Sequence, residues 1–136
     1  MAAEEQPTPA VDSGANAEFL NYADATTTLS VTVRQAEQAV LVIHVIGELD
    51  MLTGPLLKAH RDKLLDARPE RLVVDLDQVA FMGSTGLAVL IGARQAALDQ
   101  GSTFQLSGIS HRAVARPLRI TGLDRLFETA PSAAET

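Results

Sequence analysis

Hydrophobic and polar positions fall into regular segments from Leu29 onward. Residues 29–35 alternate between apolar and polar side chains, which is the pattern of a half-buried strand. Residues 39–49, "AVLVIHVIGEL", form an almost continuous apolar run, which is typical of a central strand covered on both faces. Because only the short polar segment "AEQ" separates the two, the pattern predicts an antiparallel hairpin.

Three helical segments follow the hairpin and alternate with short apolar strands. Thr53 is suited to cap the first helix, and Pro69 ends it. The second helix begins after the Gly-Ser-Thr-Gly sequence at 83–86 and ends at Gly101. The third contains Pro117, which removes a backbone donor and predicts a helix that is short, kinked or late to begin.

The strands between these helices complete the predicted fold. They lie at 71–76, 103–108 and 125–129, so the order is β-β-α-β-α-β-α-β. Because strand–helix–strand units form right-handed parallel crossovers, the fold class is α/β. We expect a single domain, residues 29–130, with a mixed and mostly parallel sheet of about five strands and crossover helices covering it.

The segments outside this domain differ from it in composition and charge. Residues 1–28 are rich in Ala, Thr, Glu and Pro and predict an acidic, largely disordered tail. The exception is "EFLNY" at 18–22, which either docks on the domain or contacts a partner. Residues 131–136 form a short C-terminal tail. The net charge of -6 belongs mainly to the N-terminal tail, because residues 1–33 hold five acids and no Lys or Arg.

Composition excludes several functional classes. The near-neutral domain offers no basic footprint for nucleic acid. The chain has no Cys, and its three His lack ligand spacing, so we expect no metal site and no cofactor. No apolar run approaches the roughly 20 residues of a membrane span, and the acidic N-terminus does not resemble a signal peptide. The sequence therefore predicts a soluble cytoplasmic protein that does not bind a membrane.

Two hydroxyls stand between glycines where the second helix begins, and three interpretations of them compete. A hydrolase nucleophile requires Gly-x-Ser-x-Gly, but Met82 occupies the position of the first glycine, and no His is an obvious base. A helix cap is the ordinary role of Ser or Thr before an apolar helical run. The third interpretation is that Ser84 or Thr85 is modified by another protein.

The position of this turn favours the third interpretation. It follows a buried strand, and open α/β sheets carry functional sites at the carboxyl ends of their strands. Gly83 and Gly86 have no side chains and so allow close approach of a partner. Asp50 also follows a strand, and it projects on the same rim if the two strands are neighbours.

Three segments of the chain resemble the signatures of the STAS domain, and more narrowly those of bacterial anti-sigma factor antagonists. They are, in order, "IGELDMLTGPLL", "VVDLDQVAFMGSTGLAVLIG" and "LRITGLDRLFE". The resemblance extends from about Leu29 to Glu128. It implies regulation of transcription through protein binding, without catalysis by this chain.

The resemblance also implies partners and site residues. In that family a serine at the position of Ser84 is phosphorylated by the anti-sigma factor, a kinase with a histidine-kinase-like ATPase fold. The unphosphorylated antagonist binds this kinase and frees the sigma factor, and a serine phosphatase later restores the serine. The implied contact surface comprises Asp50, Gly83, Ser84, Thr85 and Gly86. Within it we expect Ser84 to be modified, with Thr85 the second choice and the more inward helix cap.

Two departures from the family pattern keep an alternative open. The residue before the serine is most often Asp in the family, whereas here it is Gly83, and the segment 131–136 is short for the usual C-terminal helix. The alternative is a STAS module that is never phosphorylated, such as a stressosome-like scaffold or a transporter-associated regulator.

Overall fold

The computed structural model describes residues 18–20 and 29–131. These residues form a six-stranded sheet in sequence order: β1 (Glu18–Leu20), β2 (Leu29–Glu37), β3 (Val40–Leu49), β4 (Arg71–Met82), β5 (Thr103–Ser107) and β6 (Glu128–Thr129). The first three strands are antiparallel neighbours, and β3 to β6 run parallel. The helices are α1 (Gly54–Asp66), α2 (Ser84–Asp99) and α3 (Arg112–Ile120), and a 3-10 turn (Leu123–Arg125) follows. The predicted fold class and order are confirmed.

β1 is an additional strand within the segment that the sequence predicts to be a tail. Its backbone pairs antiparallel with β2, and Glu18 lies opposite Val33. We expected the segment 18–22 either to dock on the domain or to contact a partner. Residues 18–20 dock on the domain, which corrects the tail prediction for these three residues. The remaining tail residues, 1–17, 21–28 and 132–136, lie outside the described part of the chain.

All three helices pack on one face of the sheet. Leu41, Ile43 and Val45 alternate along β3 and join the same buried cluster as Leu90 of α2 and Val114 of α3. Right-handed crossovers that all advance in one direction place their helices on the same side, which explains this arrangement. The crossover helices therefore cover one face of the sheet only, and they do not account for the expected burial of β3 on both faces.

The opposite face of the sheet carries a much smaller apolar cluster. There Val42 and Val73 pack with the partly buried Ala36 and Ala130. These contacts bury Val42, which accounts for the uninterrupted apolar run that suggested a strand covered on both faces.

In the described segments no helix is long and apolar enough to cross a bilayer.

β4 extends well beyond its predicted end at residue 76. It continues to Met82, and its register against β3 shifts twice, between His44 and Ile46 and between Gly47 and Glu48. Each extra residue in a strand reverses the face that later side chains occupy, so the simple alternation is lost in this part of β4. The extension places the end of β4 directly before Gly83.

A buried arginine joins the two helices that follow β3 and β4. Arg61 of α1 donates from Nη1 to the backbone oxygen of Val89 in α2 at 2.6 Å. A Cβ atom at position 92 would lie 2.6 Å from the same nitrogen, so Gly92 makes room for the guanidinium. This contact fixes the relative position of α1 and α2, and hence of the turns that precede them.

The third helix is short, as Pro117 predicts. It spans nine residues with Pro117 inside it, and Gly122 follows with a left-handed φ of 76°. The predicted final strand at 125–129 is reduced to the two residues of β6, because the 3-10 turn includes Arg125 and a turn and a bend follow at 126 and 127. Val114 and Leu118 anchor α3 in the core, and its opposite side is exposed.

Candidate functional site

β3 and β4 end side by side, so that the turns after them share one edge of the sheet. Leu49 is the register partner of Met82, and each is the last residue of its strand. The backbone N–H of Gly83 donates to the oxygen of Leu49 at 2.8 Å. Asp50 and Ser84 therefore lie on the same rim, as predicted for neighbouring strands.

The turn between β3 and α1 is held by its own side chains. Oδ1 of Asp50 accepts hydrogen bonds from the backbone N–H groups of Leu52 and Thr53, at 2.9 and 3.0 Å. Oγ1 of Thr53 donates to the oxygen of Glu48 at 2.6 Å and accepts from the N–H of Asp50 at 3.0 Å. Thr53 occupies the N-cap position of α1, but its hydroxyl bonds backbone groups that precede it in the chain and no N–H group of the helix. The prediction that its side chain caps the helix is therefore wrong.

These hydrogen bonds also stabilise the ionised form of Asp50. The N–H of Thr53 contributes most, and with that of Leu52 it holds the pKa of the carboxyl below its usual range. A weaker effect of desolvation acts in the opposite direction. Asp50 is therefore a structural carboxylate as well as a charge on the rim.

The turn between β4 and α2 has no comparable side-chain bonds. Gly83 occupies the N-cap position with extended backbone, and no side chain caps the helix. Ser84 is the first helical residue and is exposed, and its hydroxyl makes no hydrogen bond within the described residues. The N–H groups of Ser84, Thr85 and Gly86 have no carbonyl one turn before them in the helix, so this end favours an anion.

Thr85 does not cap α2, which corrects the expected role. A cap residue needs non-helical backbone, and Thr85 already lies inside the first turn. Its Cγ2 instead packs against α1, where a Cβ atom on Gly54 would approach it to 2.7 Å. Thr85 is half-buried, so the expectation that it lies further inward than Ser84 is confirmed.

The two glycines of the turn have different surroundings. Gly86 is buried, and a Cβ atom there would lie 2.9 Å from Cβ of Leu49 and 3.2 Å from Cγ of Met82. It allows α2 to approach the strand ends, so the glycine has a packing role. Gly83 is half-buried, and the Phe81 ring lies near the position that its Cβ would occupy.

Three large apolar side chains on this rim were missed by the sequence analysis. Met51, Leu52 and Phe81 expose 72%, 70% and 52% of their surface. Exposed apolar side chains that share one edge of a fold are candidates for a binding surface. The signal in the sequence was a pair of apolar residues, Met51 and Leu52, directly after an acid at a position where turn residues are usually polar.

A second polar cluster lies on the face of the sheet away from the helices. Nδ1 of His44 bonds Oδ2 of Asp75 at 2.9 Å, and Oγ of Ser107 donates to Oδ1 at 3.1 Å. Burial raises the pKa of Asp75, but these bonds outweigh it and hold the pKa below its usual range. Since Ser107 bonds the carboxylate rather than His44, the three residues do not form a nucleophile–base relay.

Comparison with known proteins identifies the family. The STAS domain model matches residues 30–136. The chain is 31% identical over 100 residues to the anti-sigma-F factor antagonist RsfB of Mycobacterium tuberculosis, covering 72% of this chain and 80% of that protein. It is 32% identical over 102 residues to the anti-sigma-B factor antagonist of Bacillus subtilis, covering 74% and 89%.

A solved structure agrees with these sequence relationships. The crystal structure of an anti-sigma factor antagonist from Mycobacterium paratuberculosis superimposes with a TM-score of 0.72 at 30% identity. The match covers 83% of this chain and 94% of that one. The three signature segments, the fold and the matched relatives lead to the same conclusion: the chain belongs to the STAS domain family.

Proposed function

We propose that this protein is a cytoplasmic anti-sigma factor antagonist whose binding to an anti-sigma factor is switched off by phosphorylation of Ser84. The similarity to proteins named as such antagonists supports the class of function. The observation that carries the assignment of Ser84 is its exposed hydroxyl at the N-terminus of α2, which no side chain caps. Thr85, the other candidate, is turned toward α1 and is half-buried.

The chemical step transfers a phosphoryl group from ATP. The Oγ atom of Ser84 attacks the γ-phosphorus, an O–P bond forms, the bond to the leaving ADP breaks, and the hydroxyl proton passes to a base on the kinase. The proposed kinase is the anti-sigma factor itself, with a histidine-kinase-like ATPase fold. A serine phosphatase reverses the modification by hydrolysis.

The rim explains how one modification changes binding without unfolding the domain. A phosphate adds about -1.5 to -2 charges at neutral pH, and the N-terminus of α2 tolerates an anion. The same charge is unfavourable in a close-packed interface formed by Met51, Leu52 and Phe81, where it must lose its water. Phosphorylation therefore weakens association and leaves the fold in place.

Incubation with candidate anti-sigma factors and ATP, followed by peptide mass spectrometry, tests the proposal. We expect one phosphate on Ser84 of the wild-type protein and none on Ser84→Ala, which should bind the partner permanently. Ser84→Asp carries one charge only and should weaken binding partially. Thr85→Ala is the matched control and should be phosphorylated normally. Phosphate on Thr85, or equal phosphorylation of Ser84→Ala, would reverse the assignment.

One observation favours an alternative, a STAS module that binds a partner without being phosphorylated. The first turn of α2 has no acidic residue, and Gly83 occupies the position where an acid is commonest in the family. A stressosome-like scaffold or a transporter-associated regulator is consistent with the missing acid, because neither is phosphorylated in this alternative. Stable partner binding with no mass shift under any cognate kinase would support this alternative.

A further inference from the structure

A groove of about 560 Å³ opens between α3 and the last residues of β4. Phe81 and Met82 line one wall, and Arg112, Arg116 and Ile120 of α3 belong to the other. Phe81 and Ile120 expose 52% and 68% of their surface. The groove therefore combines apolar walls with two guanidinium groups.

The two arginines lie on the same side of α3, because residues four apart are neighbours on a helix. Both are exposed, and neither forms an ion pair or a side-chain hydrogen bond with other residues of the described chain. A guanidinium group is planar and binds carboxylates through two parallel hydrogen bonds. The groove thus presents two cationic donors that the domain itself does not use.

The groove is continuous with the turn that carries Ser84. Phe81 belongs to the groove, and its ring lies 3.2 Å from the position that a Cβ atom of Gly83 would occupy. Met82, another wall residue, is the last residue of β4 and directly precedes the turn. A partner that covers Ser84 consequently reaches the mouth of the groove.

We propose that this groove receives an acidic amphipathic segment of the anti-sigma factor. Apolar side chains of that segment contact Phe81 and Ile120, and its carboxylates pair with Arg112 and Arg116. The inference rests on the proposed function and extends the contact surface beyond the Ser84 turn. Because the arginines lie outside that turn, they contribute to the choice of partner separately from the phosphorylation switch.

Affinity measurements with unphosphorylated full-length protein and its anti-sigma factor test the arginines. We expect the double variant Arg112→Glu/Arg116→Glu to bind about tenfold more weakly or worse, with a larger loss at low salt. Arg119→Glu/Arg125→Glu makes the same change of charge on exposed arginines outside the groove and should stay within about twofold of wild type. Thermal melting of both variants shows that the fold is retained.

A second pair of variants tests the apolar wall. Ile120→Ala should weaken binding about fivefold or more, the scale of a residue that anchors an interface. Leu98→Ala truncates another exposed side chain, on α2 and outside the groove, and should leave the affinity unchanged. Equal losses for the two alanine variants would contradict the groove contact.

The outcomes separate this inference from the proposed function. If wild type binds and is phosphorylated but the groove variants match their controls, the groove inference fails and the proposed function stands. If wild type binds no cognate anti-sigma factor, both fail together. If deletion of residues 1–17, which contain Glu4, Glu5 and Asp12, strengthens binding, the acidic occupant is this chain's own segment and the inference is overturned.

Discussion

Two turns lie side by side on one rim and differ in how their polar groups are satisfied. After β3, Asp50 and Thr53 bond the backbone of their own turn. After β4, Gly83 supplies no side chain, and Ser84 leaves its hydroxyl exposed. The first turn is thus held rigid by its own polar groups, and the second keeps a hydroxyl available to an enzyme.

The difference shows why residue type and sequence position alone do not assign a role. Asp50 and Ser84 both carry a polar side chain after a buried strand, and Thr53 and Thr85 both stand near a helix start. The hydrogen bonds that each side chain makes distinguish them: Asp50 and Thr53 bond the backbone of their own turn, whereas Ser84 makes no such bond within the described residues. Substitutions at four positions test this comparison.

Thr53→Val should have the largest effect on stability. The substitution keeps the shape of a side chain that is only 1% exposed, but leaves the oxygen of Glu48 and the N–H of Asp50 without that partner. Loss of a buried partner costs roughly 1–3 kcal/mol of unfolding free energy. Thr85→Val is the matched control at the other turn and should stay within about 0.5 kcal/mol. Equal losses in urea denaturation would contradict the difference between the turns.

Asp50→Ala should lower stability in a pH-dependent manner, because the hydrogen bonds that Asp50 accepts in its turn are lost. The folded state holds the pKa of Asp50 below its usual value, so the stabilisation is complete above about pH 3.9. It is lost as the pH falls through the lower folded pKa. Melting curves from pH 7 to pH 2 should therefore show the two proteins converging in acid.

Asp50→Asn separates charge from hydrogen bonding in this experiment. The amide keeps an acceptor oxygen but has no titrating charge, so its stability difference from Asp50→Ala should not vary with pH. The Asp50 variants should also weaken binding to the anti-sigma factor if the carboxylate borders the interface. Unchanged affinity would remove Asp50 from the contact surface.

Thr85→Ala should cost less than about 1 kcal/mol of unfolding free energy, because only the methyl contact with α1 is removed. This cost overlaps the range for loss of a helix cap, so the size of the loss does not by itself separate the two roles. Thr85→Ser decides between the two roles. It keeps the hydroxyl and loses the methyl group, so a packing role predicts the same loss as Thr85→Ala. A cap would instead be preserved by serine, and denaturation curves would then show wild-type stability.

Gly83→Asp should have the smallest effect on stability, a gain of a few tenths of a kcal/mol. The backbone at Gly83 suits any residue, since its φ is -96°, although the Phe81 ring must shift slightly. If the missing carboxylate limits phosphorylation, the rate at Ser84 should rise. Gly83→Asn supplies a cap without charge and serves as the control. Equal rates for all three proteins would make Gly83 a neutral variant.

Local patterns were sufficient for most of the fold. The alternation in 29–35, the apolar runs of β3 and β4 and the helical spacing after Ser84 each reflect contacts repeated along one element, which periodicity detects. The end of β4 was missed because two register shifts break its alternation. β1 was missed because three residues hold too little pattern to distinguish a strand from a tail.

The sequence by itself determined the order of the elements from β2 onward, the family signatures and the pair of turns that carry Asp50 and Ser84. Tertiary structure decided what those residues do, because hydrogen-bond direction depends on which backbone groups the fold brings within reach. It turned Thr53 toward Glu48, packed Thr85 against α1 and gave the cap position to Gly83. It also placed Phe81 beside α3, which formed the groove from residues about 30 positions apart.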